Sequence, residues 1–316
     1  MSSRHRGSGR GDGRGDEKSR VITISKALSW ILRHGAQKEG LKLDPAGYAN
    51  VEKLLAWHKL KSLGVTLEEL RVVVAENDKQ RFSLIPNPEF NTTSEADEQP
   101  TANEDDPLVW RSRASPLPLV SNPSAWLIRA NQGHSITLES SSLLSPITRD
   151  SLDMPETVLH GTFYGAWPAI LDSGGMSRMD RNHMHFAAGV PGQDSGVISG
   201  MRADAQILIY VDIRRALDAG LKFWRSDNGV ILTEGDGEGM LPIEFFTMVV
   251  DRKRGVTLWE DGSVVSDLSE GLKEMSLPRG KGRGPRGRRG RGGKSGDSSS
   301  SRSGDKQGIG ATNLKE

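Results

Sequence analysis

The chain has 316 residues and almost no net charge, with 42 Lys and Arg against 41 Asp and Glu. It contains no cysteine, which excludes disulfides, thiolate catalysis and cysteine-bound zinc and is typical of a reducing compartment. No stretch reaches the roughly 20 apolar residues of a membrane span, and no apolar signal-peptide core follows the N-terminus. We therefore expect an intracellular protein of the cytoplasm or nucleus, with no membrane partner.

The near-neutral total conceals a strong segregation of charge. Residues 1–20 carry six Lys or Arg against three acids, and residues 279–294 carry eight against none. By difference, the rest of the chain carries ten more acids than bases. If this acidic remainder binds a polyanion, it must do so through a local cluster of Arg and His.

Both ends and one internal segment have compositions that predict disorder. Residues 1–20 and most of 256–316 are rich in Gly, Arg and Ser. The RG-rich run at 279–293 is typical of segments that bind RNA weakly, but a solubilising tail or a nuclear-import signal explains it equally well. The proline-rich, acidic residues 86–124 predict a disordered loop between two paired strands, not a domain boundary.

The first predicted lobe, residues 21–149, combines helices with a strand pair. Asn50 is a candidate N-cap, and Thr66 with Glu69 forms a candidate capping box. Three short helices followed by a hairpin is the order of a winged helix-turn-helix. The predicted helices lie at 25–34, 50–60 and 66–76, and the predicted strands at 81–85 and 126–130.

The second predicted lobe, residues 150–255, alternates short apolar strands with two helices and indicates an α+β fold with a mixed or antiparallel sheet. No G-x-G-x-x-G follows its first strand, which argues against a Rossmann domain, and the glycines of 235–239 predict a turn. The predicted strands lie at 158–161, 183–187, 207–212, 230–233 and 245–250, and the predicted helices at 163–173 and 214–220.

Arg and His recur at the predicted ends of these elements. Arg33 and His34 precede Gly35 at the predicted end of the first helix, where such a pair alone is typical of a surface cap that complements the helix dipole. Each later occurrence also has a structural explanation, such as a cross-strand charge, a turn or a core histidine. Together they are poor in carboxylates and rich in phosphate-binding groups, which favours electrostatic stabilisation of a transferring phosphate over acid–base hydrolysis. These later segments are 78–82, 129–135, 160–162 and 181–186.

Seven motifs in this order carry a family resemblance: LSWILRH, DKQRF, IRANQGHS, LHGT, RNHMHF, VISGMR and SDNGVILT. The series resembles the RNA (tRNA) 2′-phosphotransferase family. The similarity covers nearly all of residues 23–250, apart from the 86–124 segment, and leaves out both tails. It implies a winged-helix first lobe, which binds RNA, and a second lobe of the ADP-ribosyltransferase fold, which binds NAD⁺.

The resemblance also implies a reaction. NAD⁺ is a consumed co-substrate, and the substrate partner is a 2′-phosphorylated tRNA such as the one that a splicing ligase leaves. The RNA 2′-phosphate attacks C1″ of the nicotinamide ribose and expels nicotinamide. The ribose 2″-OH then attacks the phosphate, which releases 2′-OH RNA and ADP-ribose 1″,2″-cyclic phosphate.

Residue roles follow from motif position within this resemblance. The essential Arg-His-Arg-Arg set of the family falls on Arg33, His34, Arg81 and Arg181. The positions that correspond to NAD⁺ contacts are His160, Gly161, Thr162, His185, Ser226, Asn228 and Gly229. Positions near the RNA or the interlobe cleft are Gln132, His134 and Ser135. The seven histidines lack His-x-x-x-His spacing, so no metal is expected.

At two places this chain differs from the residues that are usual in other enzymes of the ADP-ribosyltransferase fold. His185 stands where related enzymes often carry an aromatic residue against nicotinamide. Where many of them place a catalytic Glu, this chain has Val230 and Ile231, with Glu234 further on. The absence of that Glu fits a phosphate acceptor, which is already anionic.

Two other functions stay open on the sequence. The chain could ADP-ribosylate a terminal phosphate on RNA or DNA, or it could be a non-catalytic RNA-binding module. The intact Arg-His-Arg-Arg set argues against pure binding, which does not need all four residues. We expect a monomer, because neither lobe offers an obvious exposed apolar helix face.

Overall fold

The computed structural model of this chain describes residues 13–90 and 121–277. The remainder of the two tails and of the 86–124 insertion lies outside the described residues, so the predictions for them stay predictions. Within the described residues, helices accompany four β-sheets, which confirms the α+β class. The strands in these sheets pair antiparallel, one of the two arrangements, mixed or antiparallel, that the sequence left open for the second lobe. No helix of this part is long and apolar enough to cross a membrane.

The first lobe places its helices before and around a small sheet. Its helical elements are α1 (Gly13–Trp30), a π-helical turn (Ile31–Gly35), α2 (Val51–Leu55), α3 (His58–Ser62) and α4 (Leu67–Ala75). Its sheet has the order β1-β3-β2, formed by β1 (Ala49–Asn50), β2 (Phe82–Pro86) and β3 (Trp126–Ala130). The pairing of β2 with β3 confirms that the insertion connects paired strands.

The first helix begins inside the segment whose composition predicted disorder. Arg20 explains part of this extension, because its guanidinium donates to the Glu69 carboxylate and to the Leu63 carbonyl. At the other end, Gly35 closes the π-helical turn, where an added Cβ would collide with the Trp30 ring. The first left-handed residue after this turn is Gly40, with φ 71°.

The predicted helix at 50–60 is two helices. Asn50 caps α2 as predicted, accepting from the amides of Glu52 and Lys53. The backbone then becomes extended at Trp57 (ψ 130°), whose indole stacks on Trp30 at 5.8 Å between ring centroids. The helical pattern of residues 50–60 is continuous in the sequence, but the tertiary packing of this one indole interrupts the helix. The predicted capping box of α4 is present.

The second lobe is built from short strands and shorter helices. Its helices are α5 (Ser140–Leu143), α6 (Trp167–Asp172), α7 (Ile213–Asp218) and α8 (Glu270–Lys273). Its main sheets have the orders β4-β9-β10-β7 and β14-β13-β12-β8-β5, with a separate β11-β6 pair. The strands are β4 (Ser145–Ile147), β5 (Leu159–Thr162), β6 (Gly175–Ser177), β7 (Met184–Phe186), β8 (Ile207–Val211), β9 (Phe223–Arg225), β10 (Ile231–Thr233), β11 (Met240–Pro242), β12 (Phe246–Asp251), β13 (Val256–Glu260) and β14 (Ser263–Val264).

Each lobe has its own apolar core. The first surrounds Leu28, Leu70 and Trp126, all 1 % exposed or less. The second fills the space between the two main sheets of its lobe, where Phe186 of β7 packs with β8 and β12 residues such as Ile209. The backbone amides and carbonyls of Leu159 and Ala187 exchange hydrogen bonds and join the two sheets at one edge.

The ordered chain continues beyond the predicted end of the second lobe at residue 255. β13 pairs with β12, and Leu258 of β13 is buried in the second core. The second lobe therefore extends beyond the predicted boundary at 255, since residues 256–277 of the segment predicted to be mostly disordered include β13, β14 and α8. Six strands of this lobe were not predicted, because runs of two to five residues carry too little alternation to stand out.

Candidate active site

Arg33 is the centre of the candidate site. It lies in the π-helical turn after α1, where the loop at 133–136 crosses it and its carbonyl accepts from the amide of Ser135 at 3.0 Å. Its Nε and Nη2 are buried and have no hydrogen-bond partner in the described part of the chain. Gly133, with φ 89°, passes so close that an added Cβ would lie 3.4 Å from Nη1 of Arg33. The protein therefore buries this guanidinium without satisfying it.

Arg81 and Arg181 are electrostatic neighbours of Arg33. Burial, followed by repulsion from Arg81 and from Arg181, lowers the pKa of Arg33 to about 10. Burial also lowers the pKa of Arg81, against an opposing contribution from Asp78. Among the described residues, none of the three forms an ion pair within 4.0 Å. The predicted Arg33, Arg81 and Arg181 are thus brought into one cluster from both lobes.

The three cations have different surroundings. Arg81 lies just before β2, where Nη1 donates to the Asn77 side-chain oxygen at 3.0 Å. Arg181 lies in the loop before β7, and its carbonyl accepts from Arg178 at 2.8 Å. Arg181 is exposed by accessible area, yet the surrounding protein lowers its pKa by desolvation, and Arg202 lowers it further by repulsion. Among the described residues, only the Arg81 guanidinium of the three has a hydrogen bond to the protein. We call the electrostatically coupled group of Arg33, Arg81 and Arg181 the cation cleft.

His34 borders the cation cleft with a neutral ring. Partial burial, then Arg33 and Arg181, lower the pKa of His34 below its ordinary value of 6.5. Its Nδ1 lies 2.8 Å from the Ser135 hydroxyl, which fixes the ring and leaves Nε2 as the nitrogen that can face a ligand. The structure thus links two predicted site residues directly. Gln132 lies half-buried on the same loop.

Two further histidines line the contact between the lobes. His134 is 1 % exposed, and its Nε2 has no hydrogen-bond partner among the described residues. Burial, then Arg33, lowers the pKa of His134 to about 3, so the ring is neutral. His183, which was not predicted as a site residue, lies with its Nε2 2.9 Å from the Ser140 hydroxyl and 3.6 Å from Glu234. Glu234 is therefore occupied by structural contacts.

The predicted NAD⁺ positions at 160–162 and 185 lie next to one another. His160 in β5 has its Nδ1 2.8 Å from the carbonyl of His185 in β7. Nε2 of His185 is buried without a hydrogen-bond partner in the described part of the chain. Burial is the largest cause of the lowered pKa of both rings, and Arg181 contributes to each. These two histidines therefore lie within electrostatic reach of the cation cleft.

Gly161 and Thr162 serve the packing of β5. A Cβ on Gly161 would collide with the Met201 side chain, so only glycine fits there. Thr162 is 8 % exposed, and its carbonyl accepts from the amide of Gln206.

The turn at 226–229 joins the lobes. The Ser226 hydroxyl donates to the Asn228 side-chain oxygen at 2.7 Å, and Nδ2 of Asn228 donates to the Lys79 carbonyl of the first lobe at 2.8 Å. Gly229 supplies the left-handed conformation of the turn, with φ 75°. Both polar ends of Asn228 thus have protein partners. For this turn, which was predicted to contact NAD⁺, the contacts found are structural.

Asp227 of the same turn makes an ion pair that sequence analysis did not predict. Its Oδ2 lies 2.7 Å from Nη2 of Arg129 and accepts from the Ser83 hydroxyl at 3.0 Å. Arg129 is 8 % exposed and also lies over the Tyr48 ring. We call Asp227, Arg129 and Ser83 the interlobe latch. The Arg129 position was visible within IRANQGHS, but no sequence signal identified its distant carboxylate partner.

Comparison with known proteins identifies the family. The family model described as RNA 2′-phosphotransferase, Tpt1 / KptA family matches residues 19–235. The tRNA 2′-phosphotransferase 1 of Danio rerio is 40% identical over 78% of this chain and 93% of its own length. The protein of the same name from Homo sapiens is 37% identical over 75% of this chain and 79% of its own, and the tRNA 2′-phosphotransferase of Saccharomyces cerevisiae is 35% identical over 82% and 94%. The resemblance seen in the motifs is confirmed, and this chain belongs to the RNA 2′-phosphotransferase family of enzymes.

Proposed function

We propose that the protein is an NAD⁺-dependent tRNA 2′-phosphotransferase. It removes an internal 2′-phosphate, such as that of a splice junction, and leaves a 2′-OH RNA, with nicotinamide and ADP-ribose 1″,2″-cyclic phosphate as the other products. The observation that carries this proposal is Arg33, a buried guanidinium with two unsatisfied nitrogens that is repelled by two further arginines. The names of the relatives support tRNA as the substrate.

An unpaired buried cation needs a physical reason. Burying a charge without a partner destabilises the fold, so such groups are normally paired or hydrogen-bonded. A phosphate dianion would satisfy the free Nε and Nη2 of Arg33 and screen its repulsion from Arg81 and Arg181. The cleft therefore fits a phosphate ligand better than a neutral ligand.

The four predicted residues then have separable roles. Arg33 and Arg81 hold the 2′-phosphate through planar forks, and Arg181 supplies charge from the second lobe. Holding the phosphate in one orientation accelerates its transfer, because the reacting atoms no longer search for their geometry. His34 is neutral at pH 7, since its pKa is lowered, and its Ser135 contact orients the ring. A neutral imidazole can accept a proton from a ribose hydroxyl and then pass it on.

The residues near His185 fit NAD⁺ as the second substrate. The buried, unpartnered Nε2 of His185 offers a polar contact, and His160 is held against the same strand. When bound, NAD⁺ would supply an electrophilic ribose carbon and nicotinamide as the leaving group. His160, Thr162 and His185 are the residues that we assign to holding its nicotinamide-side ribose. The 226–229 turn leads into β10, which pairs with the strand of His185.

The proposal also covers the fold of each lobe, the oligomeric state and the role of the tails. A first lobe of short helices with a β2–β3 hairpin supports a winged helix that binds RNA. Two antiparallel sheets around one core support an ADP-ribosyltransferase-like second lobe. We propose that the enzyme works as an intracellular monomer and that its RG-rich tails add weak RNA affinity.

The decisive test uses a short RNA with one internal 2′-phosphate and NAD⁺ labelled in its adenylate. Release of labelled ADP-ribose cyclic phosphate together with 2′-OH RNA would support the proposal. Stable labelled RNA would show instead that the enzyme ADP-ribosylates nucleic-acid phosphates. No NAD⁺-dependent product would indicate an RNA-binding module. Arg33→Met should abolish product release, whereas Arg149→Met, which removes a surface arginine paired with Asp218, should not.

A further inference from the structure

We infer that Asn77, Asn131 and Asn228 are positioning residues that hold the short segment 79–81 and thereby set the direction of the Arg81 guanidinium. This inference rests on the proposed function, since it assigns Arg81 to the phosphate. Within residues 13–90 and 121–277, Arg81 is the cation of the cleft to which an asparagine side chain is hydrogen-bonded. Their action would therefore pass through Arg81.

The backbone of this segment needs external support. Gln80 has φ 43°, a left-handed conformation that is uncommon for any residue other than glycine, asparagine or aspartate. It immediately precedes Arg81, so the path of the chain at Gln80 decides where the Arg81 side chain points. Strained backbone of this kind persists only when the surroundings hold it, and it is frequent at functional sites.

Two asparagines donate hydrogen bonds to three consecutive backbone carbonyls of this segment, two from side chains and one from a backbone amide. The Lys79 carbonyl accepts from Nδ2 of Asn228 at 2.8 Å, and the Gln80 carbonyl accepts from Nδ2 of Asn131 at 2.8 Å. The Arg81 carbonyl accepts from the backbone amide of Asn131 at 2.9 Å. Asn228 comes from the second lobe, so this support spans the interlobe contact.

Asn77 binds Arg81 directly. Its side-chain oxygen accepts from Nη1 of Arg81 at 3.0 Å and from the Arg81 amide at 3.3 Å. Its Nδ2 lies 3.3 Å from the Ser25 hydroxyl of α1. Asn77 thus fixes one edge of the guanidinium and links it to the helix that leads to Arg33.

Asn131 is itself fixed by a shared proton. It is 3 % exposed, and its side-chain oxygen lies 2.6 Å from the Ser83 hydroxyl. That hydroxyl also lies 3.0 Å from the Asp227 carboxylate, and the two acceptors share or compete for its single hydrogen. The orientation of Asn131, and with it that of Gln80, is therefore coupled to the interlobe latch.

The test is a double-mutant cycle between Asn131 and Arg81, measured by single-turnover cleavage of the 2′-phosphorylated RNA by the full chain. Asn131→Ala should lower the rate about 10- to 100-fold with little change in the apparent affinity for NAD⁺. In the Arg81→Ala background the same substitution should lower the rate less than about twofold, because the group it positions is gone. A full Asn131→Ala effect in that background would overturn the inference.

Matched variants separate positioning from folding. Asn50→Ala removes a comparable set of side-chain hydrogen bonds, at the cap of α2, and should lower the melting temperature without changing the rate. If Asn131→Ala fails to fold, Gln80→Val, which disfavours the left-handed conformation, and Gln80→Gly provide a second test. Valine should reduce the rate far more than glycine, and equal rates would overturn the inference. An inactive wild-type protein would refute the proposed function and not this inference alone.

Discussion

Two arginines near the contact between the lobes bury guanidinium nitrogens under opposite electrostatic conditions. In the interlobe latch, Arg129 has the Asp227 carboxylate at 2.7 Å and the face of Tyr48 at 4.7 Å from its guanidinium carbon. In the cation cleft, Arg33 has two unsatisfied nitrogens and two cationic neighbours. Arg129 is paired within the protein, whereas Arg33 is available to bind an anionic ligand.

This difference distinguishes structural charge from functional charge. A buried cation with a protein partner stabilises one arrangement of the lobes. A buried cation without such a partner lowers stability in the free protein and recovers that cost when a ligand binds. The latch and the cleft should therefore respond oppositely to substitution.

The largest expected effect is the loss of activity in Arg33→Met. We expect transfer to fall about 10³-fold, comparable to removing a donor that stabilises charge in a transition state. The free energy of unfolding should stay the same or rise, because the substitution removes an unsatisfied buried charge and its repulsion from Arg81 and Arg181. Urea denaturation and the single-turnover rate together measure both quantities.

Arg129→Met is the matched control for that comparison. It should lower the free energy of unfolding by about 1–3 kcal/mol, because it removes the hydrogen bonds to Asp227 and to the Ala46 carbonyl. If Arg33→Met destabilised the protein as much as Arg129→Met, the distinction between latch and cleft would fail.

Arg81→Lys tests the geometry of the cleft at constant charge. We expect about a 10²-fold loss of transfer, because lysine lacks the planar fork that can bind a phosphate and Asn77 together. Arg149→Lys, at a surface pair with Asp218, is the control and should keep its rate. Near-normal turnover by Arg81→Lys would remove the assigned role of Arg81.

The sequence predicted the cleft better than the latch. Arg33, Arg81 and Arg181 each lie in a motif whose residue types suit phosphate, and the family resemblance assigned them to one set before the fold was known. Asp227 offered no such pattern, since a single carboxylate in a turn is ordinary. Its partner Arg129 lies about a hundred residues away, and only the antiparallel pairing of β2 with β3 and the packing of the lobes bring them together.

The fold shows the same division between local and tertiary signals. The caps at Asn50 and Thr66 were readable because capping is decided within four residues. The break at Trp57 was not, because it depends on stacking against Trp30 from another helix. Asn228 was placed with NAD⁺ by motif position, whereas its amide binds the Lys79 carbonyl across the lobes. Such a contact has no signature in sequence.

Asp227→Asn tests the latch itself. It leaves Arg129, which is 8 % exposed, without its anionic partner while keeping the shape of the side chain. We expect the free energy of unfolding to fall by about 2 kcal/mol, less than for a fully buried pair because the Asp227 side chain is 46 % exposed. Asp153→Asn, at the exposed pair with Arg225, should cost at most about 0.5 kcal/mol. Equal costs in thermal or urea denaturation would contradict a structural role for the latch.

The last effect, a dependence of stability on pH, comes from His134 between the two regions. Its pKa is about 3 in the folded protein and about 6.5 in an unfolded chain, so the unfolded state binds one more proton between these values. The contribution of this group to the free energy of unfolding is fully present above pH 6.5. It falls as the pH drops toward 3, and at pH 5 the loss is up to about 2 kcal/mol. His134→Gln should flatten the decline of the unfolding free energy between pH 7 and 5, measured by urea denaturation at each pH. An unchanged slope in His134→Gln would mean that His134 can take up a proton in the folded protein, and that burial and the neighbouring Arg33 do not hold its ring neutral.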